Sequence, residues 1–345
     1  MGVNLTPIII KKVLSLEDLR GKSLAVDAQN YLYQFLSLIR MQNGTPLQDS
    51  HGNVTSHLAG LLFRSTRLIH DYDMYLVFVF DGPPPRLKQK EITKRREMRE
   101  KATREWQDAL KTGDYATAFS KAVMSSHLTR PMIEDSKRLL LLLGIPFVQA
   151  PSEAEAQAAY MAQVGDVWAA SSKDYDSLLF GAPRLQRYLT ISGREFLPSK
   201  GISRPLEPEL IELDSFLSAH GITREQLIDL AILIGTDFNE GIKGIGPKKA
   251  LKLVKEYGTL DNMPEEINKR LEDQNCHEIQ RFFLEPEITK DYSLQYGELQ
   301  EEALYRFLCD ERDFSRDRVA TVILRMRNYY ANRKQAGLQK WLREA

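Results

Sequence analysis

Three short apolar runs that each stop near an acidic residue constrain this chain more than any other feature. Ser23-Leu24-Ala25-Val26 stops at Asp27, Tyr75-Leu76-Val77-Phe78-Val79-Phe80 stops at Asp81, and Val167-Trp168-Ala169-Ala170 is followed by Asp174 and Asp176. A short apolar run bounded by turn residues reads as a buried strand of a parallel sheet. Open α/β sheets place their ligands at the carboxyl ends of such strands, so these carboxylates are expected to converge. Glu153, Glu155 and Asp237 bring the set to seven acids. Two like charges ~4 Å apart repel by roughly 4 kcal/mol at an effective dielectric of ~20. Such a cluster needs cations, and hard oxygen ligands favour Mg²⁺ or Mn²⁺.

Helix-compatible stretches separate these runs. Tyr31 to Ile39 reads as a helix, a polar loop spans Gln42 to Asn53, and a second helix runs from about Val54 to His70. Strands linked by helices pair in parallel, which predicts an α/β fold with a parallel-rich twisted sheet flanked by helices. After Asp81, Gly82-Pro83-Pro84-Pro85 cannot continue a strand. From Arg86 to about His127 the chain is polar, basic and helix-compatible. That stretch reads as a solvated helical insertion or as a basic arch over the ligand edge of the sheet. A helix over Pro131 to Leu143, a strand over Ile145 to Val148, a helix from Ser152, and strands Val167–Ala170 and Leu185–Thr190 complete the body. From Leu213 the chain reads as mainly helical. The 345 residues are divided as 1–100, the helical insertion 101–130, 131–260, 261–330 and a tail 331–345.

Net charge is zero, yet it is unevenly spread. Arg86 to Arg104 holds nine Lys/Arg against three Glu, and Lys243 to Lys255 holds five Lys and no acid. Basic blocks beside an acidic cluster predict a phosphate-binding surface around a metal centre. Gly244-Ile245-Gly246-Pro247-Lys248-Lys249 opens a helix whose first N–H groups and positive dipole end suit a phosphate. With Lys248, Lys249 and Lys252 it matches a helix-hairpin-helix type of DNA-backbone grip; a solvated basic face is the plainer reading. The two cysteines, Cys276 and Cys309, form no metal-ligand spacing and imply no disulfide framework. No apolar stretch reaches the ~18 residues of a membrane span.

Each acid also has an ordinary local explanation. Ser152 and Glu155 have the spacing of a capping box, and acids in a first turn suit the helix dipole. Asp174 and Asp176, two apart, share one side of an extended segment, but an Asp-rich turn after a strand looks the same. Asp27 and Asp81 have that same turn alternative, and Asp237 reads equally as an N-cap. In the tail, Gln335, Leu338, Trp341 and Leu342 either dock back on the body or form a turn that enters a partner's apolar pocket.

Taken in order, Asp27, Val79-Phe80-Asp81-Gly82, Ala150-Pro151-Ser152-Glu153-Ala154-Glu155-Ala156-Gln157, Lys173-Asp174-Tyr175-Asp176, Gly235-Thr236-Asp237 and Gly244-Ile245-Gly246-Pro247-Lys248 closely resemble the flap endonuclease family of structure-specific 5′ nucleases. The resemblance spans nearly the whole chain. It implies two Mg²⁺, with Mn²⁺ as a substitute: Asp27, Asp81, Glu153 and Glu155 match the first metal group, Asp174, Asp176 and Asp237 the second. It implies hydrolysis of DNA phosphodiesters at single/double-strand junctions, with 5′ flap endonuclease and 5′-3′ exonuclease activity serving Okazaki fragment maturation and repair. Lys88 and Arg95 match the basic pair that meets the scissile phosphate, Tyr33 a tyrosine that stacks on a base, and Gly2 a buried start near the active centre. Arg40, Thr55 and Arg64 fall in the helices that the family uses for duplex and 3′-flap contacts. Glu153, Gly235, Asp237, Gly244 and Gly246 are placed beside the DNA as well. The tail is similar to a sliding-clamp motif of the proliferating cell nuclear antigen type, with Trp341 where Phe is commoner. Gly241 stands where some relatives have a serine that helps hold K⁺, so a K⁺ at the hairpin would depend on backbone carbonyls.

The chain stops just after the clamp motif, without the long basic extension of eukaryotic relatives, so an archaeal type is expected. A monomer with no membrane association is expected too, cytoplasmic and nucleoid-associated in an archaeon and nuclear in a eukaryote. Two rival readings are a non-catalytic junction binder or clamp-associated scaffold, and a related nuclease that cuts bubbles or RNA. All seven acids favour the enzyme, and the compact arch favours flaps.

Overall fold

The computed structural model describes residues 2–41, 44–189, 193–197 and 202–344, and for 193–197, 202–205 and 334–344 the backbone alone. Nine strands are present among them: β1 (Lys12–Val13), β2 (Ser23–Asp27), β3 (Tyr75–Phe80), β4 (Phe147–Gln149), β5 (Ala169–Ser171), β6 (Arg184–Arg187), β7 (Gly193–Leu197), β8 (Ile202–Leu206) and β9 (Glu209–Glu212). Seven form one sheet in the order β1-β9-β6-β5-β2-β3-β4, and β7 and β8 pair as a separate antiparallel hairpin. The pairings from β4 through to β6 are parallel, as helix-linked strands require; β9 and β1 add an antiparallel edge. From β2 the chain winds outward through β3 and β4. It then returns to the other side of β2 with β5 and β6. The topological switch point therefore lies between β2 and β5, where doubly wound sheets open a ligand crevice.

Side chains alternate across the sheet, and both faces are covered. Ala25, Val77, Val79, Val148, Ala170 and Leu185 face one core with the helices Ala154–Gln163 and Arg224–Ile234. Leu24, Val26, Leu76, Phe78 and Phe80 face the other, against Ala28–Leu38 and Arg130–Leu143. A period-two strand buried on both sides reads as an unbroken apolar run, which is why these runs stand out in the sequence.

Several boundaries differ from the sequence reading. The helix expected over Val54 to His70 is three pieces, Ser56–Gly60, a π-helical turn Leu61–Ser65 and Thr66–Tyr72. The insertion begins well before residue 101: helices Gln89–Thr112 and Tyr115–Met124 pack on one another. No Gly or Pro interrupts Gln89 to Thr112, and Gly113 ends it in the left-handed conformation. Strands from both 1–100 and 131–260 lie in one sheet. Among the described residues no helix is long and apolar enough to cross a membrane.

Candidate active site

Parallel pairing puts the ends of β2, β3, β4 and β5 on one edge of the sheet, and the acids follow from it. Asp27 is the last residue of β2 and also caps the helix Ala28–Leu38, its Oδ1 accepting from the Asn30 N–H at 3.0 Å. Asp81 follows β3, and its Oδ1 accepts from the Ala154 N–H at 2.7 Å. The strand-end aspartate thus caps the helix Ala154–Gln163, and the expected Ser152–Glu155 capping box does not form. Glu153 is the extended N-cap residue there and makes no side-chain cap bond. That irregular start frees Glu153 and Glu155, two apart, to serve the same centre.

Asp174 and Asp176 follow β5. Asn30 Nδ2 donates to Asp174 Oδ2 at 3.0 Å, while Asn30 Oδ1 accepts from the Lys173 N–H at 3.2 Å. Asn30 therefore ties the Asp27 and Asp174 strand ends together across the switch point. Gln29 does the same for Asp81, its Oε1 accepting from the Asp81 N–H at 3.1 Å. Sequence reasoning missed both residues, although their place just after a capping aspartate at a strand end was a usable signal. Asp176 Oδ1 accepts from the Val3 N–H at 2.9 Å, which brings the amino-terminal segment to the centre. A Cβ on Gly2 would lie 2.6 Å from Asp176 Oδ1, so the close approach needs glycine.

The carboxylates raise one another's affinity for protons. Burial, then Asp81, pushes the Asp27 carboxyl well above its ordinary range. Burial, then Glu153, pushes Asp81 up to about 6; burial, then Asp237 and Asp174, pushes Asp176 up to about 7. Glu155 is driven well up by burial and then by Asp176, Asp27 and Asp174, so it stands between the two expected ligand groups. Its buried Oε1 has no hydrogen-bond partner. An orphaned buried carboxylate oxygen among acids of one sign fits a hard divalent cation. Among the described residues no three His, Cys, Asp or Glu side chains close around one ion as placed. Two cations of the chain are drawn in instead.

Lys88 and Arg95 come from the base of the insertion. Lys88 Nζ lies 2.5 Å from Glu153 Oε2 and 3.7 Å from Asp237 Oδ2. Burial opposes the Lys88 charge, but Glu153 and Asp237 outweigh it and hold the amine above the ordinary lysine range. Arg95 Nη2 contacts both oxygens of Asp237 at 2.7 Å, and its Nε is held by Glu91 at 2.8 Å. Although Asp237 is buried, the positive charges around it, Arg95 and Lys88 among them, keep its carboxyl below the usual range. It is not an N-cap.

The hairpin lies further along. Gly235 has φ 107°, and a Cβ there would meet the Glu240 carbonyl at 2.8 Å. Gly244, Gly246, Lys248, Lys249 and Lys252 are exposed at the start of the helix Pro247–Tyr257. The Gly241 carbonyl accepts from Gln274 Nε2 at 3.3 Å, that of Ile242 from the Ile245 N–H at 2.9 Å, and that of Lys243 from Arg270 Nη2 at 2.9 Å. Each of these carbonyls accepts one N–H, and each oxygen keeps a second lone pair that a K⁺ could share.

The remaining DNA assignments divide. Tyr33 is half-buried on Ala28–Leu38, and Arg64 lies over the Phe35 ring at 6.0 Å. Thr55 is 5% exposed, with its N–H bonded to the Leu47 carbonyl. Arg40 is turned inward onto the Gly44 carbonyl at 2.6 Å and the Ser126 hydroxyl. The backbone of the tail continues the helix Arg316–Glu344; the side chains of Gln335, Leu338, Trp341 and Leu342 lie outside the described residues.

Residues 1–102 match the XPG N-terminal domain and residues 144–237 the XPG I-region. All the acids but none of the hairpin beyond Asp237 fall within those spans. The chain is 51% identical to flap endonuclease 1 of Pyrococcus abyssi over 342 residues, covering 99% of this chain and 98% of the relative. It is similar to the structure of flap endonuclease-1 from Methanococcus jannaschii, with TM-score 0.76 and 43% identity, covering 96% of this chain and 100% of that one. The catalytic core of Rad2 in complex with DNA substrate shares the fold at TM-score 0.66 and 24% identity, over 93% of this chain and 97% of that one. With whole-length identity of this order and the acids gathered at the switch point of the sheet, the chain belongs to the flap endonuclease family of structure-specific nucleases.

Proposed function

We propose that this chain is a divalent-metal-dependent 5′ flap endonuclease, with 5′-3′ exonuclease activity, acting on DNA junctions in replication and repair. The observation that carries this reading is the gathering of seven carboxylates from three strand ends, the helix start after β4 and the turn at Asp237, next to two basic side chains of the insertion. Asp27, Asp81, Glu153 and Glu155 would hold one Mg²⁺, and Asp174, Asp176 and Asp237 the other. Paired divalent ions supply Lewis acidity toward an attacking water and a leaving oxygen. Lys88 and Arg95, now spent on Glu153 and Asp237, are the groups a scissile phosphate would compete for. The open Gly244-to-Gly246 backbone and Lys248, Lys249 and Lys252 suit a duplex backbone some distance away. The protein would act as a monomer, in the cytoplasm of an archaeal cell.

The test is cleavage of a labelled double-flap DNA with Mg²⁺, with Mn²⁺ and with chelator. Cutting near the junction with either metal and none with chelator is expected. Tight junction binding with no cutting under any of these conditions would favour the scaffold reading instead. For the tail, truncation after Lys334 should abolish binding to a sliding clamp and leave basal cleavage unchanged. Clamp binding that survives the truncation would sink the motif.

A further inference from the structure

Arg187, the last residue of β6, is 6% exposed and takes no part in the chemistry above. All of its nitrogens donate. Nε bonds the Lys173 carbonyl at 2.8 Å, Nη1 the Tyr175 hydroxyl at 2.7 Å and Glu209 Oε2 at 3.1 Å, and Nη2 the Tyr188 hydroxyl at 2.9 Å. The guanidinium lies 3.9 Å from the Tyr175 ring centroid and 4.7 Å from that of Tyr188. Tyr188 adopts φ 59°, a left-handed conformation that a bulky residue rarely takes. A buried cation so fully engaged fixes whatever it touches.

What it touches brackets the second group of acids. The Lys173 carbonyl immediately precedes Asp174, and Tyr175 separates Asp174 from Asp176. The Tyr175 hydroxyl also meets Thr6 Oγ1 at 3.2 Å, in the same amino-terminal segment whose Val3 N–H holds Asp176. Glu209, which pairs with Arg187 from β9, is engaged in turn by Lys11. One guanidinium thus grips the acidic segment by its backbone and by the side chain between the two carboxylates.

We infer that Arg187 is a positioning residue that holds Asp174 and Asp176 in the arrangement that binds the second divalent ion. The inference rests on the two-metal reading above. Groups that orient metal ligands from behind typically contribute about 10- to 100-fold in metal affinity. The test titrates the full chain with Mn²⁺ and follows free Mn²⁺ by its paramagnetic resonance signal, without DNA. The wild type should bind two ions; Arg187→Met should keep one at wild-type affinity and bind the other at least ~10-fold more weakly. Binding of flap DNA in Ca²⁺ should be unchanged. Where Arg187→Met fails to fold, Arg187→Lys keeps the charge but cannot span Lys173 and Tyr175, and should show the same selective loss. Tyr175→Phe, which removes only the hydroxyl, should show a smaller one. Two Mn²⁺ bound with wild-type affinities in every folded Arg187 variant overturns the inference. A wild type that binds no Mn²⁺ overturns the two-metal reading itself, a separate result.

Discussion

Asp81→Ala and Asp176→Ala should each lower single-turnover cleavage of a labelled double-flap DNA by about 10³-fold, with junction binding kept. The size follows from the several kcal/mol of charge stabilisation that a bound divalent ion supplies, at roughly 1.4 kcal/mol per tenfold in rate. Binding survives because neither residue grips DNA; both are carboxylates that repel a phosphate. Burial, and then the neighbouring acids, already push Asp81 up to about 6 and Asp176 up to about 7, so neither charge is there for stability. Asp81 has a second duty, since it caps the helix Ala154–Gln163 through the Ala154 N–H. Loss of a cap costs about 1 kcal/mol. Asp81→Asn keeps the accepting oxygen and loses the charge, so it should match alanine in rate while melting like the wild type. Wild-type cutting rates in both alanine variants would end the two-metal assignment.

Much of this centre was legible in the sequence because it is built from strand ends. A strand buried on both faces has to be an unbroken apolar run, and Asp27 and Asp81 mark where two such runs stop. The parallel sheet then brings those stops to one edge whatever the intervening loops do. Glu155 was harder to read. Its spacing from Ser152 matches a capping box, and only the structure shows that Asp81, from a different strand, has taken the cap. The pairs joining Asn30 to Asp174 and Arg187 to Tyr175 were illegible for a related reason. They depend on which strands are neighbours, and β2 beside β5 is decided by the winding of the whole sheet. The antiparallel β1–β9 edge escaped notice because β1 is two exposed residues with no apolar pattern. Thr55 and Arg40 were placed beside DNA through the family resemblance. That Thr55 is buried and Arg40 turns onto the Gly44 carbonyl was not legible, because position along the chain does not say which way a side chain turns.

Lys88→Ala should lower the single-turnover rate by roughly 10²- to 10³-fold and change the dissociation constant for DNA far less. A surface lysine that grips a backbone is exposed and unpaired before DNA arrives. Lys88 is neither: its side chain is 17% exposed and lies against Glu153 and Asp237. Its charge therefore pairs with the acids in the free protein and becomes available to a phosphate only when cations replace it among them. An interaction made late in the reaction lowers turnover rather than affinity when removed. The metal requirement separates this loss from that of an acid. Removing Asp81 takes away a ligand and should raise the Mg²⁺ concentration needed for half-maximal rate. Removing Lys88 takes away a cation that competes for Glu153, so the Mg²⁺ requirement should stay level or fall. A slow Lys88→Ala enzyme that needs more Mg²⁺ would make Lys88 a support for the acids. A normal rate with weaker binding would make it a grip on the backbone. Only a slow enzyme with an undiminished appetite for metal leaves Lys88 facing the scissile phosphate.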